Sequence, residues 1–108
     1  MIGHLDEVVI DCHDTMLLAE FWWSVLGGEI VRQSREWVAL HPPIGITVSF
    51  QEVPEAKAAK NRVHLDIAVD DLEVAAVAAE ALGATRIGGP QPDPVGGFQV
   101  MADPEGNE

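Results

Sequence analysis

Apolar and polar side chains alternate from His4 to Cys12, with Val8 and Ile10 on one face and Glu7, Val9 and Asp11 on the other. That period-two pattern predicts a half-buried strand. The period then lengthens: Leu18, Phe21, Trp22 and Val25 recur at helical spacing. Asp14 stands ahead of them as an N-cap carboxylate, and Gly27-Gly28 supplies the stop. Three further strand-like runs follow, Glu29 to Gln33, Glu36 to His41 and Gly45 to Val53, with Ser34-Arg35 and Pro42-Pro43 at the turns. The polar, Ala/Lys-rich stretch from Pro54 to Asn61 reads as a linker. After it, Val63, Leu65, Ile67 and Val69 alternate with Arg62, His64, Asp66 and Ala68, which predicts another strand. Asp70-Asp71 caps a second helix through Leu72, Ala75, Ala76, Ala79 and Leu82, closed by Gly83. Ala84 to Ile87 reads as a strand, Gly88 to Pro94 as a Gly/Pro loop, and Phe98 to Ala102 as a strand. Asp103-Pro104-Glu105-Gly106 is a turn signal, and the sequence ends at Glu108, where a further strand is expected.

The two halves repeat. Asp6 to Cys12 aligns with Val63 to Val69, and Val25-Leu26-Gly27 aligns with Ala81-Leu82-Gly83 one residue out of that register. Each half therefore reads as strand, Asp-capped helix, Leu-Gly stop, then strands. The expected architecture is α+β and a single domain: module one over 1–53, linker 54–61, module two over 62–108. A unit this short cannot bury both faces of its own sheet. With each helix on the Val8/Ile10 or Leu65/Ile67 side, the opposite faces carry Glu7, Asp11, Ser49, Gln51, His64 and Asp66. Two such faces curved together would line a polar cleft for a small molecule.

Charge narrows the partners. The chain has 18 acidic and 6 basic side chains, a formal charge of −12. Such a surface repels phosphate backbones and anionic lipid, so nucleic acid and membrane are poor partners. The basic residues Arg32, Arg35, Lys57, Lys60, Arg62 and Arg86 look scattered, with no basic stripe. A lone cysteine, Cys12, excludes an internal disulfide, fits a reducing compartment and reads as a small buried strand residue. With no signal peptide and no apolar run near the ~20 residues of a membrane span, a cytoplasmic protein is expected. No Ser/His/Asp, Cys/His or CxxC arrangement suggests a nucleophile or a structural zinc.

Four motifs in series carry a family resemblance: Phe21-Trp22-x-x-Val25-Leu26-Gly27, the run from Asn61 to Leu72, Leu82-Gly83-Ala84, and Asp103-Pro104-Glu105-Gly106-Asn107. Together they resemble the glyoxalase/bleomycin-resistance/extradiol dioxygenase group of the vicinal oxygen chelate superfamily, over essentially the whole chain. The resemblance implies paired βαβββ modules forming a U-shaped cleft, here with the last strand cut short, and often a dimer. It also implies a divalent metal such as Ni, Zn, Mn or Fe that chelates substrate oxygens as a Lewis acid. On this sequence the ligand positions fall on Glu7, near Gln51 (or Glu52, one residue along) and on His64. The fourth lies beyond Glu108. Glu7 departs from the usual His or Gln, and Gln51 is a weak ligand.

Beside the ligand reading stands a plainer one, in which His64 is a strand histidine bonded to Glu7 or Asp66. Trp37, Ser49 and Asp66 are the expected cleft residues, with Trp37 placed to stack on a flat ligand. Trp22 belongs to the core, Trp23 to a partly exposed position, His13 to a loop, and His41 to the turn beside Pro42-Pro43.

Three functions compete. The first is a metal-free protein of binding, sequestering or resistance type that holds a small organic molecule. The second is a metal-dependent lyase, isomerase or dioxygenase using Glu7, Gln51 and His64. The third is a ferredoxin-like βαββαβ regulatory domain, disfavoured by three strands between the first helix and the linker. An unpaired sheet edge in module two leads to the expectation of a homodimer.

Overall fold

The structure is a computed structural model and describes residues 1–108. The chain divides into two compact units, Met1–Ala56 and Lys57–Glu108.

Unit 1 begins with β1 (Glu7–Cys12) and α1 (Thr15–Leu26). Asp14 does cap the helix, its Oδ1 accepting the Leu17 amide at 3.0 Å. The helix stops where Gly27 takes φ 72°, a conformation closed to most side chains, and its amide donates to the Trp23 carbonyl at 2.7 Å. Strands β2 (Glu29–Arg32), β3 (Trp37–His41) and β4 (Thr47–Glu52) complete a sheet of order β1-β4-β3-β2. The β1–β4 pair is parallel and the other two pairs are antiparallel. Three strands after α1 and this order set aside the ferredoxin-like alternative.

The register settles which residues share a face. Val8 and Ile10 pair with Val48 and Phe50, and Val38 pairs with Phe50. Val38, Val48 and Phe50 pack with Leu18, Ala19 and Leu40 into the core under α1, with Ile10, Met16, Trp22 and Leu26 at its margin. Leu18, Val38, Leu40 and Phe50 are fully buried, each contributing about 1.5–3 kcal/mol of transfer free energy. Cys12 is buried beside them, as a small strand residue should be. Trp22 stacks edge-on against Phe21 at 5.5 Å, while Trp23 is half-exposed and donates its Nε1–H to the Gly28 carbonyl at 2.9 Å.

Unit 2 has α2 (Leu72–Ala81), capped by Asp71, whose Oδ1 accepts the Val74 amide at 2.9 Å. Two short ladders follow: β5 (Thr85–Arg86) with β8 (Met101–Ala102), and β6 (Gln91–Asp93) with β7 (Gly96–Phe98). Two expectations are corrected here. The stretch Gly88 to Pro94, read as a loop, holds β6, and the expected strand Phe98 to Ala102 is broken into the end of β7 and β8. Asp93 Oδ1 accepting the Val95 amide at 2.9 Å builds the tight turn that lets this hairpin close.

The larger correction is Arg62–Val69, which joins no ladder despite its alternation. In unit 1 the matching strand β1 has a single neighbour, β4. In unit 2 no strand pairs with this segment. Val63 is left 73% exposed and Val69 46%.

Asp103 builds the turn that follows β8: its buried carboxylate accepts the Glu105 and Asn107 amides and the Asn107 side chain at 2.9–3.0 Å. At the end of the chain, Glu108 accepts the Asn61 amide at 2.8 Å and pairs with Lys57 at 3.2 Å.

Unit 2 leans on charge more than unit 1 does, because few of its apolar side chains are buried. Arg86 grips Glu73 with both terminal nitrogens at 2.8 Å and Glu80 through Nε at 2.9 Å. These bonds raise the guanidinium pKa and hold the Glu73 carboxyl below its ordinary range. The Asn61 amide, helped by Lys57, lowers Glu108 in the same way. A carboxylate with a lowered folded pKa adds stability above its ordinary value and loses it as pH falls through the folded one. Acidification below about 4.5 should therefore release Glu73 and Glu108. Amide exchange followed by NMR should show unit 2 opening before unit 1. Loss of unit 1 protection first would contradict this.

Candidate functional site

The face of the unit 1 sheet opposite α1 is built by strand alternation. β1 contributes Glu7, Val9 and Asp11; β4 contributes Thr47, Ser49 and Gln51; β3 contributes Trp37, Ala39 and His41. The small residues Ala39 and Ser49 form its buried floor, while Val9, Asp11 and Gln51 stand exposed around it. Ser49 Oγ donates a hydrogen bond to Glu7 Oε2. His41 Nδ1 and Thr47 Oγ1 lie 2.9 Å apart at one end. Trp37 is half-buried and pairs in register with Gln51, so an indole and an amide lie side by side on this face.

The proposed ligand residues separate along these strands. Glu7 pairs with Thr47, whereas Gln51 pairs with Asp11, four residues further on, a backbone separation of roughly 13 Å. The Glu7 carboxylate meets Ser49 instead. Glu52, the alternative to Gln51, points to the α1 side, where its Oε2 lies 4.0 Å from Arg35 Nε. In unit 2, His64 Nδ1 donates to Asp66 Oδ1 at 2.9 Å, one of the two partners that its plainer reading named.

Within unit 1 the proposed ligands Glu7 and Gln51 do not converge on one point. Nowhere in the chain do three His, Cys, Asp or Glu side chains gather in a metal-holding group. The β4 donors beside Glu7 are hydroxyls and an amide, poor ligands for a transition ion. What the face can do is accept and donate hydrogen bonds beside an aromatic wall. It carries Glu7, Asp11 and, through β2, Glu29, and no Lys or Arg.

Two recesses of unit 1 lie elsewhere. One, of about 470 Å³, is lined by Glu20, Trp23, Ser24 and Ile30. The other, of about 310 Å³, brings together Arg32, Arg35 and His13 at the start of α1. Sequence reading missed this second cluster, because its arginines looked scattered. The available signal was their spacing, three residues apart at the Ser34-Arg35 turn.

No helix is long and apolar enough to cross a membrane. No curated protein matches the chain. Among solved structures, a glyoxalase/bleomycin resistance protein/dioxygenase family enzyme from Burkholderia phytofirmans is 22% identical. It superposes with a TM-score of 0.78 over 97% of this chain and 94% of its own. A glyoxalase-related enzyme from Fulvimarina pelagi is 17% identical, with a TM-score of 0.70 over 98% of this chain and 84% of its own. A member of the same superfamily from Sphaerobacter thermophilus is 21% identical, with a TM-score of 0.71 over 98% and 93%. At these identities the likeness establishes the α+β fold. The glyoxalase-like domain model matches residues 7–108, and with that match over nearly its whole length the chain belongs to the glyoxalase-like domain family.

Proposed function

We propose that this protein is a metal-free binder, of sequestering or resistance type, for a small neutral or cationic organic molecule with a flat ring. The observation that carries the reading is the sheet face holding Trp37, Gln51, Ser49 and Glu7 with carboxylates and no Lys or Arg. Trp37 offers a stacking surface, Gln51 and Ser49 hydrogen bonds, and Glu7 with Asp11 a negative field that disfavours anions. The Glu7–Ser49 bond pre-orients the carboxylate, which lowers the ordering cost of binding.

A metal-dependent lyase, isomerase or dioxygenase using Glu7, Gln51 and His64 has one observation in its favour. Asp66 holds His64 Nδ1, as outer carboxylates do for metal-bound imidazoles, which would leave Nε2 to the ion. Elemental analysis of purified protein supplemented with Ni, Zn, Mn and Fe(II) separates the two. The binding reading expects no stoichiometric metal. About one ion per chain, lost in His64→Ala, would favour the enzyme instead. The same reading takes the working form as a homodimer, supported by the exposed apolar edge at Val63, Ile67 and Val69. Sedimentation at micromolar concentration should then give a dimer's mass, and a monomer's mass would contradict it.

A further inference from the structure

Unit 1 has two fixed positive charges, Arg32 and Arg35, and both line the same 310 Å³ recess with His13, Thr15 and Met16. This is unexpected for a chain with 18 acidic against 6 basic side chains, where carboxylate partners are abundant. Arg32 nevertheless takes part in none of the chain's ion pairs. Arg35 has one, with Glu52, at the outer limit of 4.0 Å, and its side chain is 79% exposed. Asp14, also at the rim, is committed to capping α1 through Leu17.

The backbone that carries the two guanidiniums is fixed. Thr15 Oγ1 donates to the Arg35 carbonyl at 2.9 Å, tying the turn to the start of the helix. The Gln33 and Ser34 amides both donate to the Trp37 carbonyl at 3.1 Å, and the Glu52 amide donates to the Glu36 carbonyl at 2.9 Å. Arg32 pairs in register with Val38, so it lies on the α1 side of the sheet, away from Glu7, Ser49 and Gln51.

We propose that this recess is a second binding site, selective for a small oxyanion: a carboxylate or phosphate group held by the forks of Arg32 and Arg35. Planar guanidiniums match both anions with paired charge-assisted hydrogen bonds. The site is independent of the ligand proposed for the opposite face, which disfavours anions.

The test is an NMR titration of the whole protein with inorganic phosphate and, separately, acetate, at ionic strength held constant with chloride. The Arg32 and Arg35 Nε–H signals should shift and saturate with at least one of the two anions. The anion that saturates at lower concentration identifies the class. Arg32→Gln and Arg35→Gln should each weaken that binding about tenfold while leaving the thermal midpoint unchanged. Shifts that rise linearly without saturating, for both anions, would overturn the proposal, as would saturation unaltered in Arg32→Gln.

Discussion

Gly28→Ala should destabilise unit 1 by about 3 kcal/mol or more, a large fraction of the stability of a folded unit of this size. Two costs combine at this position. Gly28 sits at φ 96°, where an L side chain is strained in any surroundings. A Cβ there would also stand 2.1 Å from the His41 carbonyl oxygen and 2.7 Å from the Pro42 Cα, both backbone atoms that cannot swing aside. The clash falls where the chain leaves α1 and enters β2, beside the Glu29–His41 pair that opens the β2–β3 ladder. Gly83, the glycine that ends α2, is the control. It too has a positive φ, but its new Cβ would meet only the Pro104 side chain, at 3.4 Å, so Gly83→Ala should cost about 1–2 kcal/mol. Chemical denaturation of both variants compares them directly. A loss below about 1 kcal/mol in Gly28→Ala would contradict the close approach of β3.

Phe50→Ala should cost about 3–5 kcal/mol. The ring is fully buried, belongs to a residue paired in register with Ile10 on one side and Val38 on the other, and shares the core cluster with Leu18 of α1. Truncation removes the largest side chain among the fully buried ones and leaves a cavity bounded by two strands and a helix that cannot easily close. Phe50→Leu retains most of the volume and should lose only about 1.5 kcal/mol. Thermal melts followed by circular dichroism distinguish these. Equal midpoints for the two variants would mean that the core collapses around the gap.

Much of this fold could be read from the residues because the signals are local. Asp14 and Asp71 each cap a helix by reaching an amide three residues on, and alternation sorts β1 into a core face and an open face without reference to the rest of the chain. What alternation fixes is parity, and parity does not determine register. Ser49 and Gln51 share a face, so parity alone allows either one beside Glu7; the choice rests on a contact across 42 residues. The same limit applies to Arg62–Val69. Its pattern is that of a strand, yet a strand exists only where another backbone completes the ladder, and none does so here. Composition misled at Gln91–Phe98, where glycines and prolines that signal a loop instead form a hairpin, with Pro92 inside a two-stranded ladder. The arginine recess was hidden for a related reason: Arg32 and Arg35 line it together with residues at the start of α1, which Thr15 ties to the Arg35 carbonyl across twenty residues.

The central claim is that the Glu7–Ser49–Trp37–Gln51 face of unit 1 binds a small organic molecule without a metal. Backbone and indole chemical-shift mapping against a library of flat neutral and cationic fragments, in the presence of a chelator, tests it most directly. The account predicts saturable shifts centred on Val9, Ala39, Ser49, Gln51 and the Trp37 indole, abolished in Trp37→Ala and Ser49→Val. Shifts confined to other surfaces, or binding that appears only when a divalent ion replaces the chelator, would contradict it.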